Sequence, residues 1–218
     1  MIWHLLPHVF ACIASGQILL LDVRQDRYFA VPETLAAEVN AWLASEEPCG
    51  PPAALATLLR DNGVARPGDP DVGKLRFAEV TIPLAPVPAS VPGRLHAADT
   101  IRLALGLTRT WLSLKFTPLH KLLASAGCRE TARPGEAEML RARAAAYSRA
   151  RRHLPIPRNC LLDSLALDQW LGAGGAGRSL VLGVTAHPFA AHCWLQSDIH
   201  VLNDSYDRVS RYTPILIL

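Results

Sequence analysis

Nine prolines and glycines fall between Ala65 and Gly93 (Pro67, Gly68, Pro70, Gly73, Pro83, Pro86, Pro88, Pro92 and Gly93), and no other stretch constrains the fold so strongly. Proline fixes φ and donates no backbone hydrogen bond, and glycine adds chain freedom, so no helix runs through such a segment. It divides 218 residues into two units, each near the lower end of what a self-sufficient core requires. The expected organisation is a domain over 1–80, a connector over 81–93 and a second domain over 94–218, with one strand, KLRFAEVTI, inside the Pro/Gly-rich region. Half of the residues are hydrophobic, which describes a folded chain, and no internal repeat is present.

Ahead of that stretch, HVFACIA passes through Ser15 and Gly16 into QILLLDV, and a second turn at Arg24 to Asp26 leads into RYFAVP. These runs read as strands. Pro32 ends the last of them and opens ETLAAEVNAWL, which places Leu35, Val39, Trp42 and Leu43 on one helical face. PPAALATLLRDNG reads as a second helix, with prolines at its first turn and Gly63 past its end. Three strands and two or three helices in about 65 residues suggest a small winged-helix-like module. A DNA-reading helix presents Arg, Lys, Asn or Gln to the groove, and 52–63 offers only Arg60 and Asn62 outside its apolar face. Nucleic acid is therefore not an expected partner.

Beyond the connector, Leu95, Ile101, Leu105, Leu112 and Leu114 recur through a helical stretch that Gly106 weakens. Pro118 starts a short helix over Leu119 to Ala126, which Gly127 ends. GEAEMLRARAAAYSRARRHL is amphipathic and basic at its end, with Arg141, Arg143, Arg149, Arg151 and Arg152. A solvated face that complements the helix C-terminus accounts for these arginines, the alternative being a docking surface for a precursor or partner enzyme.

Three residues at the end of the chain carry chemistry. Pro155 and Pro157 break what precedes Cys160, and Leu161, Leu162, Leu165, Leu167 and Leu171 then describe a largely buried helix. Cys160 falls in its first turn, where unpaired amides and the positive end of the helix dipole favour a thiolate. The runs AAHCWLQ and IHVLND flank Ser197 and Asp198 and read as a tight hairpin in which facing residue numbers sum to 396, placing Asp204 beside His192. A thiol, an imidazole and a carboxylate in this order supply the nucleophile, the proton carrier and the group that fixes the imidazole tautomer. Taken singly, a cysteine in an apolar helix is usually a small buried hydrophobe and a lone histidine usually structural.

The block C-L-x-D-S-L-A-L-x-x-x-L from Cys160, then V-L-G-V-x-x-x-P-F-x-A-H-C-W from Val181 and the closing Asn203-Asp204, resembles the maturation B proteins of lasso-peptide pathways. That resemblance implies an α+β chain: a winged-helix-like precursor-recognition domain plus a transglutaminase-like, papain-related cysteine peptidase domain. By the same resemblance Cys160 is the nucleophile, His192 the base and Asp204 the orienting acid of a leader peptidase. Cys193 departs from the pattern, which expects a small residue after the histidine; neighbouring strand residues point to opposite faces, so the triad is undisturbed. The oxyanion is expected to meet the Cys160 amide and a donor from Arg158 or Asn159. LLDVRQDRYFAV resembles the precursor-recognition domain of ribosomal peptide pathways, which takes the leader as an added strand beside its sheet, packed against a helix. Leu21, Tyr28 and Phe29 are then candidate leader-binding residues, the alternative being that they are core.

The implied partners are the leader region of a precursor peptide and a separate ATP-using cyclase, since this chain has no GxxxxGK[ST] loop of its own. No cofactor is implied. Five widely spaced cysteines without a CxxC pair point to neither a disulfide framework nor a metal site, so the expected compartment is the reducing cytoplasm. No run is apolar enough to read as a membrane span. A net charge of +3 suits a weakly acidic peptide partner. Two other classes stay open: a transglutaminase-type acyl transfer to an amine, and a non-catalytic binding protein with a vestigial triad.

Overall fold

The structure, a computed structural model, describes residues 3–45, 50–67, 80–83, 85–86, 97–125, 136–172 and 177–218. They fall into two compact units, one of Met1–Glu79, Val184–Ala190 and Thr213–Leu216, the other of Val80–Gly183, Ala191–Tyr212 and Ile217–Leu218.

In the first unit a short strand β1 (Trp3–Leu5) precedes an antiparallel meander of β2 (Val9–Ala14), β3 (Gln17–Asp22) and β4 (Arg27–Ala30). Ser15 and Gly16, both at positive φ (50° and 81°), close the first hairpin in two residues, with Ala14 opposite Gln17. This is the turn whose twist matches that of the strands. Asp22 closes the second, its Oδ1 accepting from the amides of Arg24 (2.8 Å) and Gln25 (3.1 Å). A 3-10 turn at Glu33–Leu35 leads into α1 (Ala36–Ala44), followed by α2 (Ala53–Asp61) and β5 (Ala65–Pro67), which pairs with β1. Gly63, at φ 63°, ends α2. Val9, Ala11, Ile18 and Leu20 on one face of the meander pack with Val39 and Trp42 of α1 and Leu55 and Leu59 of α2. Cys12, Leu19 and Leu21, of the opposite parity, are buried as well, so β3 is core on both faces.

The second unit holds β6 (Ala85–Pro86), α3 (Ala97–Phe116), α4 (Leu119–Ser125), α5 (Glu136–Arg152) and α6 (Cys160–Leu171). Along the chain then come β7 (Arg178–Thr185), β8 (Ala190–Ser197), β9 (His200–Val201), α7 (Tyr206–Val209) and β10 (Thr213–Ile217), of which Val184–Ala190 and Thr213–Leu216 are counted in the first unit. The strands form a five-stranded sheet in the order β10-β7-β8-β9-β6. Helices α3, α5 and α6 pack on one another. Eight of the twelve residues of α6 are buried, including Asp163, Ser164 and Asp168, as befits a helix covered all round.

Several sequence expectations change. The segment expected to be connector contributes β6, which pairs in parallel with β9, and Val80 and Ile82 pack against Val181, Trp194, Val201 and Val209. Gln196 Nε2 donates to the Thr81 carbonyl at 3.0 Å, fastening this piece to the sheet. Most of KLRFAEVTI, and Gly127, lie outside the described residues. Gly106 does not interrupt α3, because a glycine costs a helix only about 1 kcal/mol and Leu103, Leu107 and Thr110 are buried around it. The hairpin register is corrected by one: Gln196 faces Val201, so pairs sum to 397, and the Leu202 amide donates to the Leu195 carbonyl. Ser197 Oγ accepts the His200 amide (3.1 Å), which holds the turn and shifts its centre past Asp198. The arginines of α5 do not form one solvated face. Arg151 is buried and Arg143 Nη1 donates to the Leu171 carbonyl at 2.9 Å; Arg141, ion-paired with Glu138, lies toward solvent as expected.

Candidate active site

The site begins with the cap of α6. Asn159 is extended (φ −138°, ψ 125°), and its Oδ1 accepts the Leu162 amide at 2.9 Å, which makes Cys160 the first helical residue. In return the Asn159 amide donates to Asp163 Oδ2 (3.3 Å). Asp163 is itself fixed by a buried guanidinium: Arg151 Nε donates to Oδ1 at 2.5 Å, while Nη1 and Nη2 reach the carbonyls of Ile156 (3.0 Å) and Pro157 (3.1 Å). Tyr147 Oη donates to the Asp163 carbonyl at 2.9 Å. One cation thus fixes both the chain entering the helix and the helix's first turn. It can do so because every polar group it buries finds a partner.

His192 comes from β8 and is buried. Its Nε2 lies 2.7 Å from Asp204 Oδ2, and the imidazole also hydrogen-bonds the Cys160 thiol, leaving the other ring nitrogen for sulfur. Asp204 sits in the bend after β9 rather than in a cross-strand pair, so the contact survives the corrected register. The Ser205 amide donates to its Oδ1 at 2.8 Å, and Arg208 Nε stands 3.8 Å from Oδ2. Ser164, one turn below Cys160, donates to the Cys193 carbonyl (3.1 Å) and accepts from Asn203 Nδ2 (2.8 Å); Asn203 Oδ1 accepts the Leu195 amide (2.8 Å). The backbone amides of Cys193 and Leu161 both point hydrogen bonds at the Cys160 sulfur. The Cys193 peptide is therefore held by α6 at both ends, by Cys160 at its amide and by Ser164 at its carbonyl.

The ring of Tyr212 lies 4.9 Å from that of His192, and Trp194 stands 6.1 Å away on a nearly parallel plane. Gly183 permits this packing. A Cβ built there would fall 2.8 Å from the Trp194 ring and 2.9 Å from Tyr212 Cβ, closer than carbon atoms approach.

Electrostatics separate two neighbouring thiols. The hydrogen bond from His192 draws the Cys160 thiol below the usual range, against the opposing effect of burial, with help from the Cys193 amide. Burial pushes Cys193 up to about 12, with the neighbouring Cys160 charge adding to it and the Ser164 hydrogen bond opposing it, and burial alone raises Cys12 to about 12. For His192 burial opposes the charge, yet the hydrogen bonds to Asp204 and Cys160 outweigh it and raise the imidazole to about 9. Burial works against the Asp204 carboxylate too, but the His192 and Ser205 hydrogen bonds carry it below its ordinary value. A thiolate and an imidazolium are thus favoured together, the arrangement required of an activated sulfur nucleophile.

Cys160, His192 and Asp204 line one cavity of about 160 Å³ with Arg158, Arg208, Tyr147 and Asn203. Arg158 is exposed at its rim. The Asn159 amide serves Asp163 and its side-chain oxygen accepts from Leu162, so its side-chain Nδ2 is the donor it has to offer an oxyanion. The Cys160 amide, first in the helix, has no intrahelical acceptor. In the first unit Leu21 is 0% exposed and faces Tyr28 across β3 and β4, so its side chain cannot meet a peptide and belongs to the core. Phe29 is half-buried with the Arg27 guanidinium 4.0 Å above its ring, and Tyr28 meets the Phe189 ring at 5.4 Å. Arg151, Ser164 and Asn203 escaped the sequence reading. Ser164 follows Cys160 by four residues and Asn203 precedes Asp204, spacings that mark both for the same site.

Among the described residues no group of three His, Cys, Asp or Glu side chains could hold a metal ion, and no helix is long and apolar enough to cross a membrane. Compared with known families, residues 103–217 match the core of the transglutaminase-like superfamily, a span that takes in α3 from Leu103 through β10. No curated protein and no solved structure matches the chain.

Proposed function

Because the chain belongs to the transglutaminase-like superfamily, whose members are generally cysteine peptidases or acyltransferases, we propose that it is a leader peptidase of lasso-peptide maturation. The observation that carries the reading is the hydrogen-bonded line from Cys160 through His192 to Asp204 at the start of α6. His192 holds the thiol proton as imidazolium, and the Cys160 sulfur attacks the scissile carbonyl. The oxyanion forms beside the Cys160 amide, with Arg158 at the rim as a second donor. His192 then protonates the departing amine, the C–N bond breaks, and the leader remains as a thioester. Water, deprotonated by His192, resolves the thioester to a carboxylate and returns the thiol.

The residues over 1–80 hold the leader and those over 94–218 cut it. β4 is an edge strand of the meander among the described residues, and its backbone offers strand addition, with Tyr28 and Phe29 lining the path. The freed core amine then passes to an ATP-using cyclase that closes it onto a side-chain carboxylate, and this chain needs no cofactor for its own step.

Incubating the protein with candidate lasso-precursor peptides, and weighing the products, tests the proposal. The expected products are a leader ending in a free carboxylate and a core with a free amine. A leader amide formed only with an added amine assigns the chain to acyl transfer instead. Failure to cut, with Cys160 alkylated no faster than a free thiol, would leave a binding protein.

A further inference from the structure

Nine large apolar side chains are exposed among the described residues, and five of them stand on α3: Ile101 (62%), Leu105 (68%), Trp111 (50%), Leu112 (43%) and Phe116 (73%). At 100° per residue, Ile101, Leu105, Leu112 and Phe116 fall in one narrow stripe. It runs opposite Leu103, Leu107 and Thr110, which are buried. A helix apolar at both poles is covered on both sides, and packing against α5 and α6 accounts for only one.

The edges of the stripe say what covers the other. Arg102 and Arg109 flank it on one side. Lys115 flanks it on the other, its Nζ 5.3 Å from the Trp111 ring and 5.7 Å from that of Phe116. The acid of this helix, Asp99, is half-buried in the first turn. On the arginine side opens a cavity of about 280 Å³ lined by Arg102, Arg109, Gln169 and Trp170, with the Arg102 guanidinium 5.2 Å from the centre of the Trp170 ring. Gly106 lines it as well, and a Cβ there would meet nothing within 4 Å, so the space is open on that side.

From this arrangement we infer that the outer face of α3 lies on an anionic lipid surface, as a peripheral helix rather than a span. Among the residues of α3 the edges of the stripe carry cations alone, which complements a surface that is anionic throughout. A second copy of the chain would set Arg102, Arg109 and Lys115 against their own kind. The stripe enters the boundary of headgroups and acyl chains, about 5–10 Å deep, with Trp111 at the interface. Arg102 and Arg109 extend to the phosphates, and the cavity beside Gly106 takes a headgroup between them.

The inference is independent of peptide cleavage and is tested on the full-length chain by sedimentation with vesicles. Wild-type protein should sediment with vesicles of phosphatidylglycerol and phosphatidylcholine in equal parts, far less with phosphatidylcholine alone, and less in high salt. Leu105→Glu and Phe116→Glu, which alter only exposed positions, should each weaken binding by tenfold or more. Arg102→Gln and Arg109→Gln should each weaken it by about fivefold. Cleavage of a peptide in lipid-free solution should be unchanged in all four. Failure of the wild type to bind anionic vesicles, or equal binding by the glutamate variants, would overturn the inference. A wild-type dimer in analytical ultracentrifugation that these variants dissociate would overturn it in favour of a second copy.

Discussion

The two ends of α6 carry the same device and use it differently. At the N-terminal end Asp163 pairs with the buried Arg151, which also grips the carbonyls of Ile156 and Pro157. At the C-terminal end Asp168 pairs with the buried Arg178 at 2.7 Å, and Nη2 grips the carbonyls of Asp168 and Gly172. Each arginine donates to carbonyls at one end of the helix, Ile156 and Pro157 before its first turn and Asp168 and Gly172 at its last. Only the first sits beside a reacting group, and only there does the helix dipole favour a thiolate. A buried ion pair is therefore not a mark of catalysis in itself; the group it positions decides its meaning.

Changes at the nucleophile sharpen the contrast most. Cys160→Ala and His192→Ala should each lower the cleavage rate by about 10⁴-fold or more, because thiol and base act as a unit. Precursor binding measured by calorimetry should persist in both. Asp204→Asn should cost less, since it sets the tautomer but carries no proton.

The pH dependence comes next. Cys160 is drawn below the usual thiol range and His192 raised to about 9, so the reactive ion pair lies between these limits. Cleavage should fall at low pH as sulfur takes a proton, and again above about pH 9 as His192 loses the one it must donate. In His192→Ala the thiol should return toward its ordinary value of about 8.5, so that alkylation near pH 6.5 slows by up to about 100-fold. Because the folded imidazole titrates above its ordinary value, its contribution to stability is full below about pH 6.5 and is lost as pH rises through about 9.

The two arginines then test the comparison directly. Arg151→Met and Arg178→Met should each destabilise the fold by about 3–5 kcal/mol, measured by urea unfolding, since each leaves a buried carboxylate without its partner. Arg151→Met should also slow the alkylation of Cys160 per folded molecule, as the entry to the helix loosens, and Arg178→Met should not. Equal chemistry in the two variants would erase the distinction between the ends. The smallest effect is expected at Cys193→Ala, with cleavage near the wild-type rate and a stability loss of about 1 kcal/mol.

The start of α6 was legible because its signals are local: Pro155, Pro157 and Asn159 lie within five residues of Cys160. What was not legible depends on distant partners. Arg151 looks like its solvated neighbours until Asp163 folds over it, and nothing near Thr81 announces that its carbonyl will meet Gln196. The hairpin was found but misregistered by one residue, because Ser197 binds its own turn. The hydrophobic run from Ile18 to Leu21 announced a covered strand, yet not that both faces would be covered, and this is why Leu21 is core and no contact for a peptide. β10, in the run TPILI, follows the last motif and went unread.

Gly183 has a consequence for how such a sequence can vary. Any other residue in place of a glycine adds at least one carbon, and here that carbon meets the Trp194 ring and Tyr212 Cβ at once. A smaller side chain at 194 would relieve one contact only, because the other is to Tyr212 Cβ, which every residue except glycine keeps, and the Tyr212 ring lies against His192. Among descendants of this gene, position 183 should therefore stay glycine even where position 194 varies, a constraint set by packing behind the imidazole and by no contact with substrate.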